Sequence, residues 1–125
     1  MRLLLDTHIY LWAVASDPLL SPETRRFIES ADAVYVSAAS IWEIAIKARL
    51  GKLAADPDAL ASAIESSGFL QLPISVAHAA GVARLPPHHN DPFDRLLLSQ
   101  AVTEPLRLLT ADALLARYGA MVLPV

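Results

Sequence analysis

The stretch HHNDPFDRLLLSQA, residues 88–101, reads as the start of a helix. Asp91 stands in the cap position, Pro92 takes the first helical position where its missing N–H is harmless, and an apolar run follows. Asp94, in the first turn, shares a helical stripe with Leu97, Leu98 and Ala101, so it heads the face that turns toward the core. A carboxylate placed there needs a cation, a metal ion or a network of donors, although a first-turn acid also serves the helix dipole. Where the other acids fall decides between the two.

Toward the amino terminus, residues 86–90 form a Pro-rich loop, and residues 75–85 a helix in which Gly81 is an internal weakness. Residues 69–72 are a short strand, preceded by a helix that Asp56-Pro57 opens and that ends near Gly68. Residues 39–50 are apolar nearly all round, which implies a buried helix, with Gly51 as its stop. Residues 34–37 are β-branched and aromatic, as strands are. Ser21-Pro22-Glu23 opens a further helix. Before it, Thr7 caps a helix carrying Ile9, Leu11, Trp12 and Ala15, which Asp17-Pro18 breaks. Residues 2–6 are an apolar run ending in an acid, as expected of a buried strand. Toward the carboxyl terminus, residues 106–109 are a fourth strand, Thr110 caps a last helix over 111–118, Gly119 stops it, and residues 121–123 are a fifth strand. Strands alternate with helices, with no repeat, low-complexity tract or linker. That pattern predicts a single α/β domain over residues 1–125 with a parallel sheet covered on both faces. Ligands of such sheets sit outside the carboxyl ends of the strands, where strand order reverses.

A chain of 125 residues suits one core. With 54% hydrophobic residues and a mean hydropathy of +0.41, it carries apolar side chains to spare, among them Trp12, Phe27, Ile28, Trp42 and Leu53. A homodimer and a groove for a partner segment are therefore expected. The net charge of −3 lacks the global basic signature common among nucleic-acid binders, yet an acidic metal site lowers that count without excluding an anionic substrate. The absence of cysteine removes disulfides and thiolate metal sites. Asp6 cuts the opening apolar run too short for a signal peptide, and no uncharged stretch is long enough to span a bilayer, so a cytoplasmic protein without membrane contact is expected.

Asp6 ends the first strand, Asp112 follows the fourth, and Asp94 opens the helix that leads into the fourth, so in a doubly wound sheet the three come out on the same edge. Each alone is explained by helix capping. Glu43 is not, because it lies inside its helix with Ser40 a turn back; the ordinary alternative is an i,i+4 pair with Lys47. Three or four carboxylates converging on one edge repel each other unless a cation intervenes. A hard divalent metal with oxygen ligands, Mg²⁺ above all, resolves the conflict. Without cysteine or two histidines at HExxH spacing a dedicated zinc site is disfavoured, and without a glycine-rich loop so is a nucleoside triphosphate site.

On LLDTHIYLWAV (residues 4–14), VSAASIWEIAIKARLGKL (36–53), DPFDRLLLSQA (91–101) and LLTAD (108–112), the chain resembles the PIN-domain family, specifically the VapC-type ribonuclease toxins of bacterial toxin–antitoxin pairs. The segments lie in the family's order along nearly the whole chain. The resemblance implies a Rossmann-like sheet of order 3-2-1-4-5 and Mg²⁺-dependent cleavage of single-stranded or looped RNA, with Mn²⁺ able to substitute. It also implies Asp6, Glu43 and Asp94 as catalytic metal ligands, Asp112 as a fourth and less strictly kept acid, and a cognate antitoxin as partner. Asp91 is an additional acid of this variant motif, open to both capping and metal duty.

Thr7 and Ser40 neighbour the acids and are candidates to orient metal-bound water. Lys47, Arg49, Lys52 and Arg95 are candidates for a positive rim along an RNA backbone. His8, His88 and His89 are read as packed or solvated side chains, and Trp12 and Trp42 as core or dimer contacts. Two other functions remain open on the residues alone. A phospho-accepting regulatory domain also gathers acids at strand ends, but it needs adjacent acids after the first strand and a lysine near the last, and neither is present. A catalytically silent scaffold that only binds a partner is the other.

Overall fold

Successive side chains of a strand point to opposite faces, so an unbroken leucine run belongs in a strand covered on both sides. The computed structural model, which describes residues 1–125, makes Arg2–Leu5 such a strand, β1, with Leu3, Leu4 and Leu5 fully buried. The chain continues through helices α1 (Thr7–Ala15) and α2 (Pro22–Ser30) into β2 (Ala33–Ser37), then α3 (Ala38–Arg49), α4 (Pro57–Ser66) and β3 (Leu70–Leu72). Helix α5 (Val76–Gly81) runs on into a 3₁₀ turn, Val82–Arg84, and α6 (Pro92–Thr103) leads into β4 (Arg107–Thr110). A 3₁₀ segment, Ala113–Tyr118, precedes β5 (Val122–Pro124). The five strands form one sheet of order β3-β2-β1-β4-β5, and all four pairings are parallel, as expected. Leu4 of β1 lies opposite Tyr35 on one side and Leu108 on the other.

The leucine run divides the core into two layers. Leu3 and Leu5 pack with Ile9, Tyr10, Ile28, Ile44 and Ile64 beneath α1 to α4. Leu4 packs with Leu97, Leu98, Ala101, Leu115 and Tyr118 beneath α6 and the 3₁₀ segment. Each fully buried leucine contributes roughly 1.5–3 kcal/mol. Ser21, Asp56 and Asp91 each cap a helix whose next residue is proline. No helix is long and apolar enough to cross a membrane.

Four local expectations change. Asp6, not Thr7, caps α1, since its Oδ1 accepts the Ile9 N–H at 2.9 Å; Thr7 is the first helical residue. Thr110 closes β4, and Asp112 caps a 3₁₀ segment where an α-helix was expected. Helix α3 is not buried all round: it buries Ala39, Ser40, Glu43 and Ile44 but leaves Trp42 57% and Leu50 61% exposed, because α1, α4 and α6 cover only part of its surface. Gly81 is a close approach and not a weakness, since a Cβ there would lie 2.5 Å from Ser99 Oγ on α6.

In this sheet the chain moves from β1 to one side, through β2 and β3, and returns to the other side at β4. The switch point therefore lies between the carboxyl ends of β1 and β4, where Asp6 and Thr110 stand.

Candidate metal centre

Asp6 and Asp112 are tied to the sheet by one hydroxyl. Thr110 Oγ1, at the end of β4, donates to Asp6 Oδ2 and accepts the Asp112 backbone N–H at 3.0 Å. The Asp6 backbone N–H donates to Leu109 O at 3.0 Å, and its Oδ1 caps α1. Parallel pairing of β1 with β4 thus sets the separation of two acids far apart in sequence.

Glu43 enters from α3 and is 6% exposed. Thr7 Oγ1 donates to its Oε1 at 2.7 Å and lies 3.0 Å from Ser40 Oγ, so Ser40 stands behind Thr7 and reaches Glu43 only through it. Lys47 Nζ donates to Glu43 Oε2 at 2.6 Å, and this i,i+4 pair faces the other acids.

Asp94 enters from the first turn of α6. Its N–H donates to the capping Asp91 at 2.9 Å, and its Oδ2 lies 2.8 Å from His89 Nε2. The loop that returns His89 to Asp94 is clasped by Arg95, whose guanidinium donates to the carbonyls of Pro86 (2.9 Å), Val82 (3.1 Å) and His89 (3.3 Å) and to the Tyr118 hydroxyl (3.2 Å). The His88 ring stands edge-on to Tyr118.

Asp6, Glu43, Asp91, Asp94 and Asp112 line one cleft of about 420 Å³ with Thr7, His8, Trp12 and Lys47. Burial pushes the Asp94 carboxyl up to about 6; His89 opposes this by hydrogen bonding, and the neighbouring carboxylate of Asp91 adds to it. Burial also raises Asp6, against the stabilising bonds from the Ile9 N–H and Thr110 and with repulsion from Glu43. The hydrogen bond from Lys47 to Glu43 holds the lysine charged, aided by attraction to Asp91 and Asp94. One lysine does not offset this many buried or half-buried acids, and a divalent cation would. The donors fit one: carboxylate oxygens dominate, and ligand atoms of His89, Asp94 and Asp112 all lie within 4.8 Å of one another.

Of the residues singled out from sequence, Asp6, Glu43, Asp94, Asp112, Asp91, Thr7 and Lys47 line this cleft. Ser40 lies behind them, and Arg49 is exposed at the end of α3. Arg95 departs from the rim expected of it, because its donors turn inward onto the loop carbonyls. His89, whose Pro-rich loop reads as solvated, stands against Asp94. Trp42 packs its ring edge-on against Phe93, with centroids 5.1 Å apart, while over half its surface remains open.

A family model described as PIN domain matches residues 3–121. A comparison with curated proteins found no match. Among solved structures, the chain is similar to VapBC2 of Rickettsia felis bound to a DNA fragment from its promoter, with TM-score 0.73 and 16% identity over 99% of this chain and 98% of that one. DNA-bound VapBC of Salmonella typhimurium gives TM-score 0.72 and 16% identity over the same shares, 99% and 98%. A toxin–antitoxin complex of Klebsiella pneumoniae gives TM-score 0.63 and 18% identity over 96% and 94%. At such identities the likeness is one of fold.

Proposed function

The chain belongs to the PIN-domain family, and from that premise we propose that it is a divalent-metal-dependent endoribonuclease, the toxin of a toxin–antitoxin pair. The observation that carries this reading is the cleft in which several carboxylates from separate elements meet with Lys47 as the one lysine among them. Asp6, Glu43 and Asp94 would hold Mg²⁺ or Mn²⁺, with Asp112 and Asp91 close enough to assist. Such a cation, when bound, supplies charge for the scissile phosphate and acidifies a water molecule. The protein's own contribution is preorganisation. Thr110 fixes the rotation of Asp6, Thr7 fixes that of Glu43, and the helix cap at Asp91 fixes the backbone of Asp94. Lys47, freed from Glu43 when a cation takes its place, would meet an RNA phosphate at the mouth, and exposed Arg49 would extend the positive rim. Hydrolysis would leave a 5′-phosphate without a covalent enzyme intermediate.

For partners, two surfaces support the reading. An apolar groove of about 520 Å³ beside the cleft, lined by Leu11, Trp12, Val14, Leu53 and Leu60, suits a segment of an antitoxin. The open stripe of Trp42, Ile46 and Leu50 on α3 suits a second copy of the chain. The test is cleavage of a mixed single-stranded and looped RNA pool with Mg²⁺ or Mn²⁺ and with chelator, followed by mapping of the ends. Metal-dependent cuts with 5′-phosphates, lost in Asp6→Asn, are expected. Uncut RNA from a folded, metal-loaded protein would leave a silent scaffold as the better reading. Expressed alone the chain should slow growth, and expressed with the product of its neighbouring gene it should be harmless and co-purify.

A further inference from the structure

We infer that His89 is a nitrogen ligand, forming with Asp94 and Asp112 a mixed imidazole–carboxylate site that makes the cleft favour Mn²⁺ over Mg²⁺. The inference rests on the metal-dependent reading above and deepens it by naming the cation.

The argument begins with spacing. Adjacent ligands about 2.1 Å from an octahedral cation stand about 3 Å apart, and opposite ones about 4.2 Å. His89 Nε2 and Asp94 Oδ2 are 2.8 Å apart, close to the adjacent distance. All three ligand atoms lie within 4.8 Å, which spans the opposite distance. Position is also secured. Arg95, one residue after Asp94, clasps the carbonyl of His89 and those of Pro86 and Val82, so the imidazole is delivered to the carboxylate by the same helix that carries it. Little ordering of the loop is left for a cation to bring about.

Ligand chemistry then selects the metal. Mg²⁺ dehydrates reluctantly and prefers carboxylates, phosphates and water, so an imidazole adds little to its binding. Mn²⁺ opens the first-row transition series and binds a nitrogen donor more tightly than Mg²⁺ does, while sharing with Mg²⁺ its preference for the carboxylate oxygens of this cleft. A His89 that merely donated a hydrogen bond to Asp94 would strengthen both cations alike.

The experiment compares wild type, His89→Gln and His8→Gln, since His8 is the imidazole that lines the cleft itself, whereas His89 reaches it through Asp94. Metal-free protein is titrated calorimetrically with MnCl₂ and with MgCl₂. The Mn²⁺-loaded protein is then examined by electron spin echo envelope modulation for a directly bound ¹⁴N. Wild type and His8→Gln should show bound nitrogen and His89→Gln should not. Mn²⁺ affinity should fall at least about tenfold in His89→Gln, the low end of what even outer-sphere partners contribute, while Mg²⁺ affinity changes less. Should His89→Gln fold poorly, wild type labelled with ¹⁵N-histidine answers the same question through replacement of the ¹⁴N modulation. No bound nitrogen in wild type, survival of the signal in His89→Gln, or parallel loss of both affinities would overturn the inference. RNA cleavage by a protein whose Mn²⁺ carries no bound nitrogen would end this inference and leave the ribonuclease reading intact.

Discussion

Asp94→Asn should stabilise the protein in the absence of divalent cations and abolish RNA cleavage in their presence. Burial holds the Asp94 carboxyl at about 6 against 3.8 for an exposed aspartate, so between those values the folded chain binds more protons than the unfolded one. The stability associated with the protonated carboxyl is therefore full below about pH 4 and is lost as pH rises through about 6. At neutral pH the difference amounts to at most about 3 kcal/mol. The side chain is a quarter exposed, and asparagine alters the contact with His89, so a net gain of about 1–2 kcal/mol is expected. For a chain of this length that corresponds to roughly 4–8 °C in Tm. Thermal unfolding followed by circular dichroism, with chelator present, supplies the assay. The two proteins should melt together at about pH 4, separate as pH rises from there to about 6, and keep a constant gap above it, with the variant higher. Added Mn²⁺ or Mg²⁺ should then raise the wild type far more than the variant, because binding to the folded state alone stabilises it. A variant that melts at or below the wild type at neutral pH, with no convergence in acid, would refute the claim that the metal-free cleft holds an uncompensated buried charge.

Glu43→Gln keeps the shape of the side chain and removes its charge, so cleavage should drop by about 100-fold, whereas Lys47→Ala should cost less than about tenfold; similar modest losses in both would mark Glu43 as half of an ordinary helix ion pair. Arg95→Ala removes the clasp on residues 86–90 and should lower stability by about 2–3 kcal/mol in urea unfolding, with new protease cleavage within that loop. Gly81→Ala places a Cβ against Ser99 and should cost about 1–3 kcal/mol, partly recovered in the double variant with Ser99→Ala. His78→Ala should lower Tm, since His78 Nδ1 accepts the Ser75 N–H at 2.9 Å while Nε2 lies 2.5 Å from Glu104 Oε2, pinning the start of α5 to the end of α6.

The parts of the fold legible in the sequence are those that depend on local chemistry. Three consecutive leucines before Asp6 specify a strand buried on both faces, and a cap followed by proline marks the start of α2, α4 and α6. The convergence of Asp6, Glu43, Asp94 and Asp112 was legible as well, because alternating strands and helices bring the carboxyl ends of parallel strands to one edge. What remained hidden depends on neighbours distant in sequence. Asp6 and Thr7 are both able caps, and only the bonds from Thr7 to Glu43 and from Thr110 to Asp6 sort their roles. An apolar composition does not say which face of α3 its neighbours cover, so the exposure of Trp42 and Leu50 follows from packing and not from periodicity. Gly81 looks like a defect until Ser99 is placed against it.

His89 shows the same limit at the site. A histidine in a Pro-rich loop reads as solvated, since nothing in the adjacent sequence holds the loop down. The residue that does hold it is Arg95, and its acceptors are backbone carbonyls, which look alike in every sequence. Its charge suggested phosphate; its geometry answers the loop's unpaired carbonyls, a need that any buried or half-buried turn creates. The segment from Asp91 to Arg95 therefore acts as a unit. Asp91 caps the helix through the Asp94 N–H, Pro92 starts it, and Phe93 braces Trp42 on α3. Asp94 faces the cleft, and Arg95 draws the preceding loop back until His89 reaches Asp94. Substituting Arg95 should consequently disturb metal binding through His89 even though the guanidinium itself points away from the acids.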